Sequence, residues 1–156
     1  MIIDTTYLLP IARIDVKRDL LKAIVEGRVK IGIALEDVKV SLISLFELQA
    51  KACKLGVPAE FVVRAIDVIS RTFNVVPFHR RDVIKASFEI YEHVRDYVDS
   101  VIIATAIALR EDLVTEDSLI HSMKEYVSRN YGIRICLLYT SPSPRDLSTS
   151  RMPSSA

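Results

Sequence analysis

The sequence predicts an α/β fold of three layers, a mainly parallel central sheet flanked by helices. Three observations predict it. Short apolar or β-branched runs recur at 1–3, 38–43, 74–78, 113–115 and 132–135, each the length of a buried strand. The stretches between them repeat apolar residues at the three- and four-residue spacing of a helix. Parallel neighbours need long crossover connections, and those stretches supply them.

The first strand, 1–3, ends at Asp4. A helix is expected over 8–25, where Leu20, Leu21, Ile24 and Val25 share a face. The second strand, 38–43, leads into a helix over 45–55 that Gly56 closes. Phe61, Val62, Ala65, Ile66 and Ile69 mark a helix over 59–71, followed by the strand 74–78. Helices are then expected over 82–94 and 100–109, the latter (SVIIATAIAL) so apolar that it must be central. A short strand at 113–115, a helix over 118–130 and a strand at 132–135 complete the chain, and no internal repeat is visible.

With 156 residues, half of them hydrophobic, one good core is affordable and one domain is expected. Charged residues make up 26% and the formal net charge is +1, so no global basic footprint is present and any nucleic-acid contact must be local. No apolar run approaches the roughly 20 residues of a membrane span, and the N-terminus lacks the pattern of a signal peptide, so a cytoplasmic setting without membrane contact is expected. Cys53 and Cys136 form no CxxC pair, which argues against a disulfide framework or a zinc site, and Cys53 is expected in the core.

From Cys136 onward the text becomes rich in Ser and Pro and loses its apolar periodicity. Read back into codons, 136–146 and 150–156 resemble two blocks of a transposase-type sequencing-library adapter, separated by an index that encodes Leu147 and Ser148. Residues 136–156 are therefore taken as an artefactual, disordered tail and 1–135 as the natural domain. Setting aside Arg145, Arg151 and Asp146 brings the formal charge to zero.

In a parallel sheet, ligands bind at the C-terminal ends of the strands, near the point where strand order reverses. Asp4 ends the first strand, Glu47 lies just beyond the second and Asp117 just beyond the strand at 113–115. Asp99 precedes the apolar helix, whose entrance faces the same rim. Clustered carboxylates repel one another unless cations neutralise them, and hard oxygen ligands suit Mg²⁺ or Mn²⁺. Two such ions, about 3.5 to 4 Å apart, clamp the attacking and leaving oxygens of a phosphodiester.

Each acid also has a purely structural role open to it. Asp4 and Asp117 can cap turns or helices, Asp99 can complement the helix dipole or cap its helix, and Glu47 fits the last position of a Ser44-Leu45-Phe46-Glu47 capping box. Arg13, Lys17, Arg18 and the run His79-Arg80-Arg81 are plausible phosphate contacts, although solvated faces explain most such charges.

Together, IIDTTYLLP, SLISLFELQAK, DYVDSVIIATAIAL and LVTEDSLI resemble the successive motifs of PIN domains, in particular archaeal VapC-like ribonucleases, over residues 1–135. By motif, the resemblance implies Asp4, Glu47, Asp99 and Asp117 as metal ligands and catalytic acids. Asp96 is an additional candidate ligand, and Glu116 is expected to point elsewhere. Thr6 and Thr115 match polar positions that orient ligands or water. The implied activity is Mg²⁺- or Mn²⁺-dependent cleavage of single-stranded RNA by water, leaving a 5′-phosphate and a 3′-hydroxyl. A small antitoxin partner and a homodimer are implied as well. Two other readings stay open: a PIN-type RNA-processing or quality-control nuclease without antitoxin, and a non-catalytic or phosphoacceptor α/β module. The last would need a second acid beside the first, where Thr5 and Thr6 stand.

Overall fold

The computed structural model describes residues 1–15 and 35–137. Five parallel strands form one sheet in the order β3-β2-β1-β4-β5: β1 (Ile2–Ile3), β2 (Lys39–Ser41), β3 (Asn74–Val76), β4 (Leu113–Val114) and β5 (Ile135–Cys136). Consecutive residues of a strand point to opposite faces, and the core divides accordingly. Ile3, Val40 and Val114 pack with the 3₁₀ segment Thr5–Ala12, α1 (Leu42–Lys54) and α2 (Ala59–Thr72). Ile2, Leu113 and Ile135 pack on the other side with α3 (Arg81–Val94), α4 (Tyr97–Leu109), α5 (Ser118–His121) and α6 (Lys124–Tyr131). The three-layer expectation therefore holds, with every strand pairing parallel.

Where the elements differ from expectation, local chemistry explains the difference. The segment after Asp4 is a 3₁₀ helix over Thr5–Ala12, ended by Arg13 in the left-handed region at φ 63°. Pro10 lies inside it, and a proline there removes a donor and crowds the preceding turn of any longer α-helix. The rest of the helix expected over 8–25, with Lys17 and Arg18, lies outside the described residues.

β2 is shorter than expected because Ser41, its last residue, also caps α1 and so starts the helix, its Oγ accepting from the Ile43 N–H at 3.3 Å. β3 stops at Val76, ahead of Pro77, which has no N–H for the ladder. The helix expected over 118–130 is two helices, divided at Ser122, whose hydroxyl donates to the Leu119 carbonyl.

The chain end needs one adjustment. Cys136 belongs to β5, pairing with Val114 and accepting the Thr115 N–H at 3.0 Å. The last strand thus reaches one residue into the stretch set aside as tail; residues 138–156 lie outside the described residues. No described helix is long and apolar enough to cross a membrane.

Candidate active site

The strand order turns back between β1 and β4, so the C-terminal ends of these two strands are where such a sheet is expected to bind a ligand. Asp4 stands there, directly after β1 and only 5% exposed. Its Oδ1 accepts the Thr5 N–H at 2.6 Å, and its Oδ2 accepts the Thr115 hydroxyl at 2.7 Å from the end of β4. The Thr115 Oγ1 in turn accepts the Asp117 N–H at 3.0 Å. Asp117 caps α5, its Oδ1 accepting from the Leu119 and Ile120 N–H groups at 2.8 and 3.2 Å. One fully buried threonine thus ties two of the four acids together across neighbouring strands.

Glu47 and Asp99 reach the rim from helices; neither caps its helix, while Asp99 complements the dipole of α4 from the first turn. Helix α1 is capped by Ser41, so Ser44 lies inside the first turn and Glu47 about one further turn along. The capping box on Ser44 and Glu47 does not form. Ser44 is fully buried, and its Oγ finds no hydrogen-bond partner among the described residues. Likewise α4 starts at Tyr97, three residues earlier than expected, because Asp96 caps it by accepting the Asp99 N–H at 3.0 Å. Asp99 therefore sits within the first turn, half-buried, while Asp96 is exposed.

The acids feel one another. Burial pushes the Asp4 carboxyl up to about 6; the hydrogen bonds from Thr115 and Thr5 oppose the shift, and repulsion from Glu47 and Asp117 adds to it. Asp99 rises further, to about 7, from burial first and then from Asp96, Asp117, Asp4 and Glu47. None of the four has an ion-pair partner among the described residues. The cluster is an accumulation of negative charge that the described protein does not neutralise.

A hard divalent cation fits this donor set. All the groups are oxygens, two of them carry pKa values raised by burial first and by the neighbouring acids after it, and two buried hydroxyls nearby in sequence, Thr5 Oγ1 and Ser44 Oγ, are orphaned. As the side chains stand, no three His, Cys, Asp or Glu groups among the described residues converge closely enough to enclose an ion, so binding one must draw carboxylates inward.

The remaining candidates divide clearly. Thr115 donates its hydroxyl to Asp4. Thr6 is half-buried on the 3₁₀ segment, and no described hydrogen bond joins it to an acid. Glu116 Oε2 accepts the buried Tyr7 hydroxyl at 2.7 Å. Arg13 lies over the Phe61 ring at 4.2 Å, and Arg80 is held by Asp82 at 2.7 Å, so both are already engaged. His79 and Arg81 are exposed. Cys53 is also exposed, against expectation, because the buried face of α1 runs through Leu45, Leu48 and Ala52.

His121 was not anticipated. Its Nε2 lies 2.7 Å from the Thr115 carbonyl, and its spacing of four residues from Asp117 was the available signal.

Comparison with known proteins agrees with the fold. Three solved structures share the fold at low identity. A toxin-antitoxin complex from Klebsiella pneumoniae is 20% identical with a TM-score of 0.57, covering 89% of this chain and 96% of that one. FitAB bound to an IR36 DNA fragment is 18% identical with a TM-score of 0.61, covering 88% and 94%. FitAcB from Neisseria gonorrhoeae is 17% identical with a TM-score of 0.58, covering 86% and 96%. No curated protein matches the chain. The PIN domain family matches residues 1–126, most of the length, and the chain belongs to that family, whose members are generally nucleases.

Proposed function

We propose that this chain is a metal-dependent endoribonuclease of the toxin type, hydrolysing RNA phosphodiester bonds. One observation carries the reading: four carboxylates gather at the switch point of a parallel sheet, two with pKa values raised toward neutrality, and no described cation balances them. A fold alone needs no such cluster, because isolated caps repel nothing.

Asp4, Glu47, Asp99 and Asp117 would hold Mg²⁺ or Mn²⁺, and Asp96, already committed to capping α4, remains an additional candidate. Bound there, such an ion supplies Lewis acidity toward a phosphoryl oxygen. The protein's own contribution is preorganisation. Thr115 and the Thr5 N–H fix both oxygens of Asp4, and the α5 N–H groups fix Asp117, so these two carboxylates pay little ordering cost when an ion arrives. Water adds across the phosphodiester, giving a 5′-phosphate and a 3′-hydroxyl. Thr6 remains a candidate for orienting the attacking water.

The toxin reading draws support from the similar structures, one titled a toxin-antitoxin complex. On that reading a small antitoxin is the partner, a homodimer the assembly and the cytoplasm the setting, with 1–135 the natural domain. A mixed pool of single-stranded RNA incubated with Mg²⁺ or Mn²⁺ tests the activity. Cleavage that persists undiminished in EDTA would rule out the metal; a wild type that cleaves no better than Asp99→Asn would rule out the site.

A further inference from the structure

We infer that His121 is a positioning residue of the acidic site, acting on Asp4 through Thr115. The inference rests on the reading of that site as metal-binding. A carbonyl oxygen can only accept, so the 2.7 Å contact places the proton on His121 Nε2, donating to the Thr115 carbonyl. The same threonine donates from Oγ1 to Asp4 Oδ2 at 2.7 Å and accepts the Asp117 N–H at 3.0 Å. Its own N–H is spent on the Cys136 carbonyl. Every polar atom of Thr115 is therefore engaged, and three of the four contacts fix the relation between Asp4, Asp117 and the helix that carries His121. Of the four, the His121 contact alone joins the strand end to the last residue of α5, so it closes a ring: Thr115 to Asp117, along α5 to His121, and back to Thr115. Opening that ring leaves three contacts on Thr115 but loosens the chain after β4, and the hydroxyl shifts with it relative to Asp4.

The full chain, stripped of metal, is titrated with Mn²⁺, and loss of the free-ion electron paramagnetic resonance signal reports binding. Urea unfolding in EDTA reports stability for the same samples. Partners that orient metal ligands from the outer shell are worth about 10–100-fold in affinity, so Thr115→Val is expected to weaken Mn²⁺ binding by at least about tenfold. His121→Ala, one bond more remote, is expected to weaken it about three- to tenfold. His121→Gln, whose amide nitrogen reaches where Nε2 was, restores the affinity. Because both residues act along one chain, the double variant His121→Ala/Thr115→Val binds no more weakly than Thr115→Val alone.

A merely structural His121 would shift the urea midpoint and leave the affinity of the folded protein unchanged, and that result overturns the inference; so does a double variant that binds more weakly than Thr115→Val alone, because the two residues would then act independently. Asp4→Asn separates the two levels of failure. If it and His121→Ala both bind Mn²⁺ normally, the site reading itself falls and takes this inference with it. If Asp4→Asn loses binding while His121→Ala keeps it, only the inference falls.

Discussion

The two halves of the acidic cluster are built differently. On the strand side, Asp4 and Asp117 are held by hydrogen bonds from Thr5, Thr115, Leu119 and Ile120, fixed before any ion or substrate arrives. On the helix side, Glu47 and Asp99 sit half-buried within helical turns, and no described hydrogen bond anchors either carboxylate. Hydrogen bonds to a carboxylate stabilise its charged form, so they temper the shift at Asp4; Asp99 lacks them and rises higher. The lesson is a division of labour. One pair is fixed by hydrogen bonds, and the other is held only by the helices that carry it.

Substitution at the two sides should separate them most sharply. Asp4→Asn and Asp99→Asn should each lower metal-supported RNA cleavage by more than about 100-fold, beyond what an outer-shell change costs. Their stabilities should diverge. Asp99→Asn removes an unanchored charge from a repulsive cluster and should raise the melting temperature of the metal-free protein, whereas Asp4→Asn sets an amide N–H₂ against one of two donors and should raise it less or lower it. Equal melting shifts would erase the distinction drawn here.

Glu47→Gln should also cut the rate steeply while changing stability by less than about 0.5 kcal/mol, because the residue caps nothing and touches no hydrogen-bonded network. Wild-type cleavage across a Mn²⁺ titration would remove Glu47 from the site.

The pH dependence of the metal-free protein sharpens the comparison further. Asp4 and Asp99 titrate at about 6 and about 7 when folded, against an ordinary value of 3.8. Between those limits the folded chain binds more protons than the unfolded chain, so the stability these groups contribute is complete below about pH 4 and is lost as pH rises through 7. The urea midpoint should therefore fall from pH 4 to 7.5, and fall less in Asp99→Asn. Asp82 and Glu111 shift the opposite way, but they are present in both proteins and cancel in that difference. Added Mn²⁺ should recover the loss at pH 7.5, since a ligand that binds only the folded state stabilises it. Identical pH profiles for the two proteins would contradict the account.

Two smaller effects probe the scaffold under each half. Ser41→Ala should cost about 1 kcal/mol by removing the cap of α1, while Ser44→Ala should cost little or stabilise, because it deletes an orphaned buried hydroxyl. Chemical denaturation of both reads out which serine caps the helix. Truncation after Leu137 should leave stability within about 0.5 kcal/mol of the full chain, since the adapter-like stretch carries no apolar pattern for packing. Truncation before Cys136 should cost more, because it takes away the carbonyl that receives the Thr115 N–H.

The sequence by itself determined the architecture and the rim at which the candidate acids stand. Periodicity separates buried strands from helices, parallel strands need the crossovers those helices supply, and the switch-point rule then aims Asp4, Glu47, Asp99 and Asp117 at one rim. Tertiary structure decided what each residue does locally. Several serines and aspartates stood near each helix start, and which of them capped depended on where the strand before it let go: Ser41 rather than Ser44, and Asp96 rather than Asp99. Composition cannot rank such neighbours, because a cap is worth only about 1 kcal/mol and packing of the apolar face sets the helix phase first. The bond from Thr115 to Asp4 spans 111 positions and the contact from His121 to the Thr115 carbonyl depends on a break at Ser122, so both arise only once β1 and β4 lie side by side and α5 folds back over their ends.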